Sequence, residues 1–120
     1  DAVCLPKPMR HLPIHIGGHS RAAAVRAGRY GDGFQPLGVT GDRLADLVTI
    51  MRDEATRVGR DGVALEVSLG HLGTKIDADR AARLAAVGAD RIVLGMPAVT
   101  DIDEARDLLS ACAERVGLAP

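Results

Sequence analysis

The residues best placed to do chemistry are Gly17-Gly18-His19-Ser20. Paired glycines let a backbone turn sharply and approach a ligand closely, because no side chain stands in the way. A serine just before an Ala- and Arg-rich stretch is suited to cap a helix through its hydroxyl. The first amides of such a helix are unpaired and sit at the positive end of its dipole, a combination that favours phosphate. His19 and Arg21 stand beside the turn as further donors. The same residues also suit an ordinary strand-to-helix turn with a Ser cap, and their types alone leave both readings open. The turn is not a dinucleotide-binding fingerprint, because GxGxxG is absent.

A second group is Asp32-Gly33-Phe34-Gln35. Phe34, the single Phe of the chain, suits either the core or a substrate pocket, and Gln35 could donate to a ligand. His15 falls inside an apolar segment, and His71 directly follows another, where it is either an exposed loop residue or part of a pocket mouth. His11 is expected at the surface. No acid/base dyad and no Ser/His/Asp arrangement has usable spacing, and Asp32 and Glu66 have no evident partners. Cys4 and Cys112 are far apart, without CxxC or a nearby His at zinc spacing, so reduced thiols in a cytoplasmic protein and no metal site are expected. Lys75, the only Lys besides Lys7, sits late in its loop, a poor place for the Lys nucleophile of an aldolase.

Four times the chain runs a β-prone segment into a helical one. The expected strands cover residues 13–16, 33–37, 64–69 and 91–94. Pro36 limits the second, since proline cannot donate to a ladder. Ser20 should cap the first helix, and Asp42 a second over residues 43–58, whose Leu44, Leu47, Val48, Met51, Ala55 and Val58 recur at three- and four-residue spacing. Asp77 should open the third. The fourth, residues 102–116, has Asp101 or Thr100 as its cap and Ile102, Ala105, Leu108, Leu109, Cys112 and Val116 as its buried side. The run Ile92-Val93-Leu94 suits a strand buried on both faces, as in a parallel sheet. The expected class is therefore α/β, with four consecutive parallel β/α units. These make half of a (β/α)8 TIM barrel or a small open sheet. In a barrel, alternate strand residues point into the lumen, so His15 or Ile16 must face inward.

The formal net charge is -1, with both signs interspersed, and aromatic residues are 2%. A nucleic-acid surface needs a clustered basic patch or a stacking platform, and neither is present. No apolar run approaches the roughly 20 residues that span a bilayer, so no membrane partner is expected. The chain opens on Asp1 and a Pro-broken stretch rather than Met, which looks like the middle of a longer protein.

The stretch Pro13-Ile14-His15-Ile16-Gly17-Gly18-His19-Ser20, the Ala- and Arg-rich helix after it, and Gly28-Arg29-Tyr30-Gly31-Asp32-Gly33-Phe34 resemble luciferase-like monooxygenases. Pro6-Lys7-Pro8 is similar to that family's approach to this strand, and Gly59-Arg60-Asp61 to one of its helix ends. The resemblance covers nearly the whole chain and is most specific over residues 13–34. It implies strands five to eight of a (β/α)8 barrel, as one unit over residues 1–120. It also implies an oxidoreductase or monooxygenase using FMN or the deazaflavin coenzyme F-420, with a small organic substrate. Gly17, Gly18, His19 and Ser20 then lie near the cofactor phosphate, and the loop from Gln35 to Gly38 borders the substrate pocket. Phe34 and His71 are assigned to that pocket from their own positions beside the strand ends. The first four strands, which supply most of the flavin pocket in the family, are missing. A half barrel exposes two strand edges and an apolar lumen. A longer parent enzyme or a homodimer of half barrels would cover them. The alternative is a non-catalytic dimeric binding module.

Overall fold

The computed structural model describes residues 5 and 7–118; Cys4 and Pro6 lie outside the described residues. Strands and helices alternate as β1 (His15–Gly17), α1 (Arg21–Tyr30), β2 (Gly33–Gln35), α2 (Gly41–Arg57), β3 (Glu66–Leu72), α3 (Ala78–Ala86), β4 (Arg91–Gly95) and α4 (Ile102–Arg115). The strands form one sheet in the order β1-β2-β3-β4, and every neighbouring pair is parallel. Sequential parallel strands with a helix in each crossover are the half-barrel arrangement that the alternation predicts.

Strand parity divides the sheet into two faces. Ile16, Phe34, Val67, Leu69 and Ile92 pack with the helices. Phe34, Ala24, Ala27, Met51 and Ala55 are wholly buried there. By alternation, His15, Gly33, Gln35, Glu66, Ser68, Arg91 and Val93 stand on the opposite face, which would line the lumen of a closed barrel. His15, left open against Ile16 by the sequence, takes the inward place.

The tightest packing joins α1 to α2. A Cβ on Gly28 would come 3.0 Å from both the Ala55 nitrogen and the Glu54 Cβ, and closer still to the Met51 carbonyl oxygen. Only a bare Cα admits the α2 backbone this near. Arg60 then donates to the carbonyls of Gly28 (2.8 Å) and Gly31 (2.6 Å), closing the carboxyl end of α1.

Glu54 ties the two helices by charge. It accepts from Arg57 at 2.7 and 2.9 Å and also pairs with Arg29 of α1. The Arg57 bonds first, and then the Arg29 bond, hold the Glu54 carboxyl down at about 2. A carboxyl lowered by folding contributes stability that is fully present above its ordinary value and lost as pH falls through the folded one. Glu54→Gln should therefore lower the urea midpoint at pH 7, and the gap from wild type should close between about pH 4.5 and pH 2. A gap that stays constant over that range would show that the pair is not what Glu54 contributes.

Several local expectations are corrected. The cap of α2 is Thr40, without a side-chain bond, and Asp42 falls in the first turn, because the helix begins earlier, at Gly41. Strand β2 stops at Gln35, before Pro36. Strand β3 begins later than expected and runs on to Leu72. Strand β4 is not buried on both faces. Its residues alternate between partly covered and exposed, with Val93 46% exposed, because helices cover one side only. Along α4, Cys112 is buried as expected, but Ile102 and Leu109 are exposed at 73% and 59%. Arg115 holds the end of this helix by donating to the carbonyls of Gly73 (2.6 Å) and Ile76 (3.3 Å). Asp77 and Asp101 cap α3 and α4 through their side chains.

Candidate functional site

The turn from Gly17 to Ser20 lies at the carboxyl end of β1, on the rim where parallel β/α folds place their chemistry. Gly18 has φ of +136°, and a Cβ there would meet the Ala23 Cβ at 2.8 Å. Its N–H donates to the Gln35 carbonyl at 3.2 Å, tying the turn to β2. A Cβ on Gly17 would meet nothing within 4 Å, so space is open beside the turn. Ser20 caps α1: its Oγ accepts from the Ala23 N–H at 3.2 Å, and its carbonyl accepts from Ala23 and Ala24. The N–H groups of Arg21 and Ala22 have no protein acceptor among the described residues. They are orphan donors of the kind every helix start leaves. Arg43 of α2, not foreseen in the sequence, donates to the His19 carbonyl at 3.1 Å and brings a guanidinium beside the turn.

The inner face of the sheet carries a polar strip behind this rim. The ring of His15 lies over Gly33, where a Cβ would stand 2.6 Å from His15 Cε1 and 2.7 Å from Nδ1. Glu66 pairs with Arg91 of the next strand at 3.0 Å, and Ser68, itself buried, donates to Glu66 at 3.2 Å. The expectation that Glu66 lacks a partner is thus overturned. Its signal was the two-residue alternation with Val67 and Leu69, which sets Glu66 and Ser68 on one face, but Arg91 reaches it only through the β3–β4 register.

Asp32 also has partners, contrary to expectation. It accepts from the Ile14 N–H and bonds His11 Nε2, both at 2.8 Å, and the Ile14 bond first, then His11, lower its carboxyl from the usual range. Asp90 accepts from the Val67 N–H in the same way, at 2.8 Å. Each Asp stands directly before a strand and braces the amino end of the preceding one. That end of a parallel sheet serves stability rather than chemistry. His11 is at the surface as expected, with 71% of its side chain exposed.

Of the other sequence candidates, Gln35 is partly exposed on the inner face, beside the turn. Phe34 lies in the helix-side core, turned away from Gln35. His71 sits near the carboxyl end of β3, its Nδ1 3.0 Å from the Leu72 carbonyl, and lines a cavity between β3 and β4. The rim turn and His71 therefore lie on the same end of the sheet, separated by β2. No cluster of three or more His, Cys, Asp or Glu side chains able to hold a metal occurs among the described residues. No helix there is long and apolar enough to cross a membrane.

The sequence model of the luciferase-like monooxygenase family matches residues 1–119. The chain belongs to the luciferase-like monooxygenase family. That membership agrees with the four parallel β/α units and marks the domain as of oxidoreductase type. The family generally works with flavin or F-420 cofactors. No curated protein matches the chain.

Proposed function

We propose that this member of the luciferase-like monooxygenase family contributes strands five to eight of a (β/α)8 oxidoreductase barrel, and that Gly17, Gly18, His19 and Ser20 hold the phosphate of FMN or F-420. The observation that carries the reading is the open turn at the rim, with unpartnered amides at Arg21 and Ala22 and no side chain on Gly17. These features fit a phosphate: donors converge at a helix start, the dipole there is positive, and the bare glycine leaves room for the anion. Ser20 accepts from Ala23, which leaves its own hydroxyl proton free to donate outward. Arg43 fixes the loop through the His19 carbonyl, and Gly18 fixes it through Gln35. When bound, such a cofactor supplies hydride transfer or oxygen activation. The chain's own part is to bind, orient and shield. The strip of His15, Gln35 and the Glu66–Arg91 pair forms one polar wall of the pocket, and His71 borders the substrate.

Among the described residues no strand pairs with the outer edges of β1 and β4, which supports completion by another half barrel. An uncovered strand edge carries unpaired backbone donors and acceptors, and the exposed Leu72 and Val93 add apolar surface. The completing half comes from a longer parent chain in this reading, and a homodimer of half barrels is the other way to close it.

Gly18→Val tests the cofactor turn. A branched side chain at φ of +136° forces the loop out of shape. Fluorescence titration of the full-length protein with FMN and with F-420 should show affinity reduced about tenfold or more, the loss of one charge-assisted contact or two. Circular dichroism should remain that of the wild type. Unchanged affinity for whichever cofactor the wild type binds, or a wild type that binds neither, would reject the assignment.

A further inference from the structure

At the carboxyl ends of β3 and β4 a cavity of about 560 Å³ opens, bordered by Thr40, His71, Lys75, Arg80 and Val93. Arg80 also borders an adjoining recess of about 360 Å³, together with Arg83. No carboxylate lines either space. Among the described residues, none of the side chains of Lys75, Arg80 and Arg83 takes part in an ion pair or hydrogen bond. Seven other cations are engaged: Arg29, Arg57, Arg91 and Arg106 pair with carboxylates, and Arg43, Arg60 and Arg115 bond carbonyls. Lys7, Arg10, Arg21, Arg26 and Arg52 have no such bond among the described residues either, but none of them borders these two spaces. Of the acids nearest in sequence, Asp77 has its carboxylate on the Arg80 N–H as the cap of α3, and Asp79, in the first turn of α3, borders neither space. Lys75 and Arg80 thus border the larger space without counter-charge, with Arg83 in the recess that Arg80 shares, beside an apolar wall made by Leu72 and Val93, which are 53% and 46% exposed.

We propose that this cavity binds the oxyanion of the substrate, a phosphate or carboxylate on an otherwise apolar organic molecule, through Lys75 and Arg80, with Arg83 adding positive charge from the adjoining recess. Lys supplies a point charge, and the arginines supply planar forks that match an oxyanion. The apolar wall takes the body of the molecule, in the usual division of a small-molecule pocket into apolar lining and a few charged anchors. The assignment deepens the reading above, since it rests on β3 and β4 being the seventh and eighth strands, after which barrels commonly place a phosphate site. It is separate from the cofactor turn. Two strand spacings of about 4.8 Å divide β1 from β3, so one anion cannot touch both.

The test uses the full-length, ¹⁵N-labelled protein, with inorganic phosphate and acetate as probes and amide chemical shifts as the readout. Phosphate, acetate or both should move amides over residues 70–75 and 80–83. The Lys75→Met/Arg80→Gln protein should bind the responding anion about tenfold or more weakly, as expected for losing charged contacts. It should bind FMN or F-420 within about twofold of the wild type. Gly18→Val should keep the anion response, so a failure of the cofactor turn alone leaves this site standing. The proposal is overturned if neither anion binds, if the double variant binds it as tightly as the wild type, or if the shifts are confined to residues 17–22. It is also overturned if the double variant loses the cofactor with the anion, because the cationic site would then serve the cofactor.

Discussion

Phe34→Ala should destabilise the protein by about 3–5 kcal/mol, the usual cost of deleting a buried ring from a core that cannot collapse around the gap. Phe34 is the central residue of β2, in register with Ile16 on one side and Val67 on the other. It is wholly buried and shares one cluster with Ala23, Ala24 and Ala27 of α1 and Leu47 and Met51 of α2. Strand backbones flank it and helices cover it, so few neighbours can move into the space. Urea unfolding followed by circular dichroism should show a lower midpoint with an unchanged slope. Phe34→Leu, which keeps most of the volume, should recover more than half of the loss. A loss under about 1 kcal/mol would mean that the ring is not closely packed, contrary to the density of protein interiors. Cofactor affinity of the folded fraction should be unaffected, because the ring faces away from the rim.

Gly28→Val should cost about 3 kcal/mol, at the upper end of what overpacking produces. The obstacle at Gly28 is backbone, the Met51 carbonyl and the Ala55 nitrogen, and backbone cannot rotate aside as a side chain can. Gly28→Ala separates packing from helix propensity. Ala favours a helix interior over Gly by about 1 kcal/mol. An isolated helix would therefore gain from the change, yet here the Cβ enters the α1–α2 contact, and the net effect should still be a loss. A stabilised Gly28→Ala protein would show that the two helices can separate at little cost. The added side chain should also weaken the Arg60 bonds to Gly28 and Gly31 in the folded protein, since the carbonyls move with the helix end.

Both effects arise in the half of the structure between the sheet and α1–α2, where burial is most complete. The other end is looser. Along α4 only Cys112 is fully buried, and Ile102 and Leu109 face solvent. The apolar spacing of that helix was legible, but spacing identifies a stripe without saying whether anything covers it. The same holds for β4. Ile92-Val93-Leu94 reads as a strand covered on both faces, and the structure covers one.

The local sequence determined the parts whose causes are local. Ser20, Asp77 and Asp101 cap helices because a side-chain oxygen beside a helix start serves amides only two or three residues away. The parallel β/α alternation followed from the switch between strand and helix patterns, and the rim turn followed from Gly17-Gly18 before a capping serine. Only the tertiary structure decided what depends on register across the sheet. Strand parity and pairing put Glu66 against Arg91, turned His15 inward over Gly33, placed Phe34 in the core rather than beside Gln35, and carried Arg43 to the His19 carbonyl. It also brought Thr40 and Arg80, forty residues apart, to one cavity. The physical reason is that a cap or a turn is closed by neighbours along the chain, whereas a pocket wall is closed by strands whose relative offset no short stretch of sequence records.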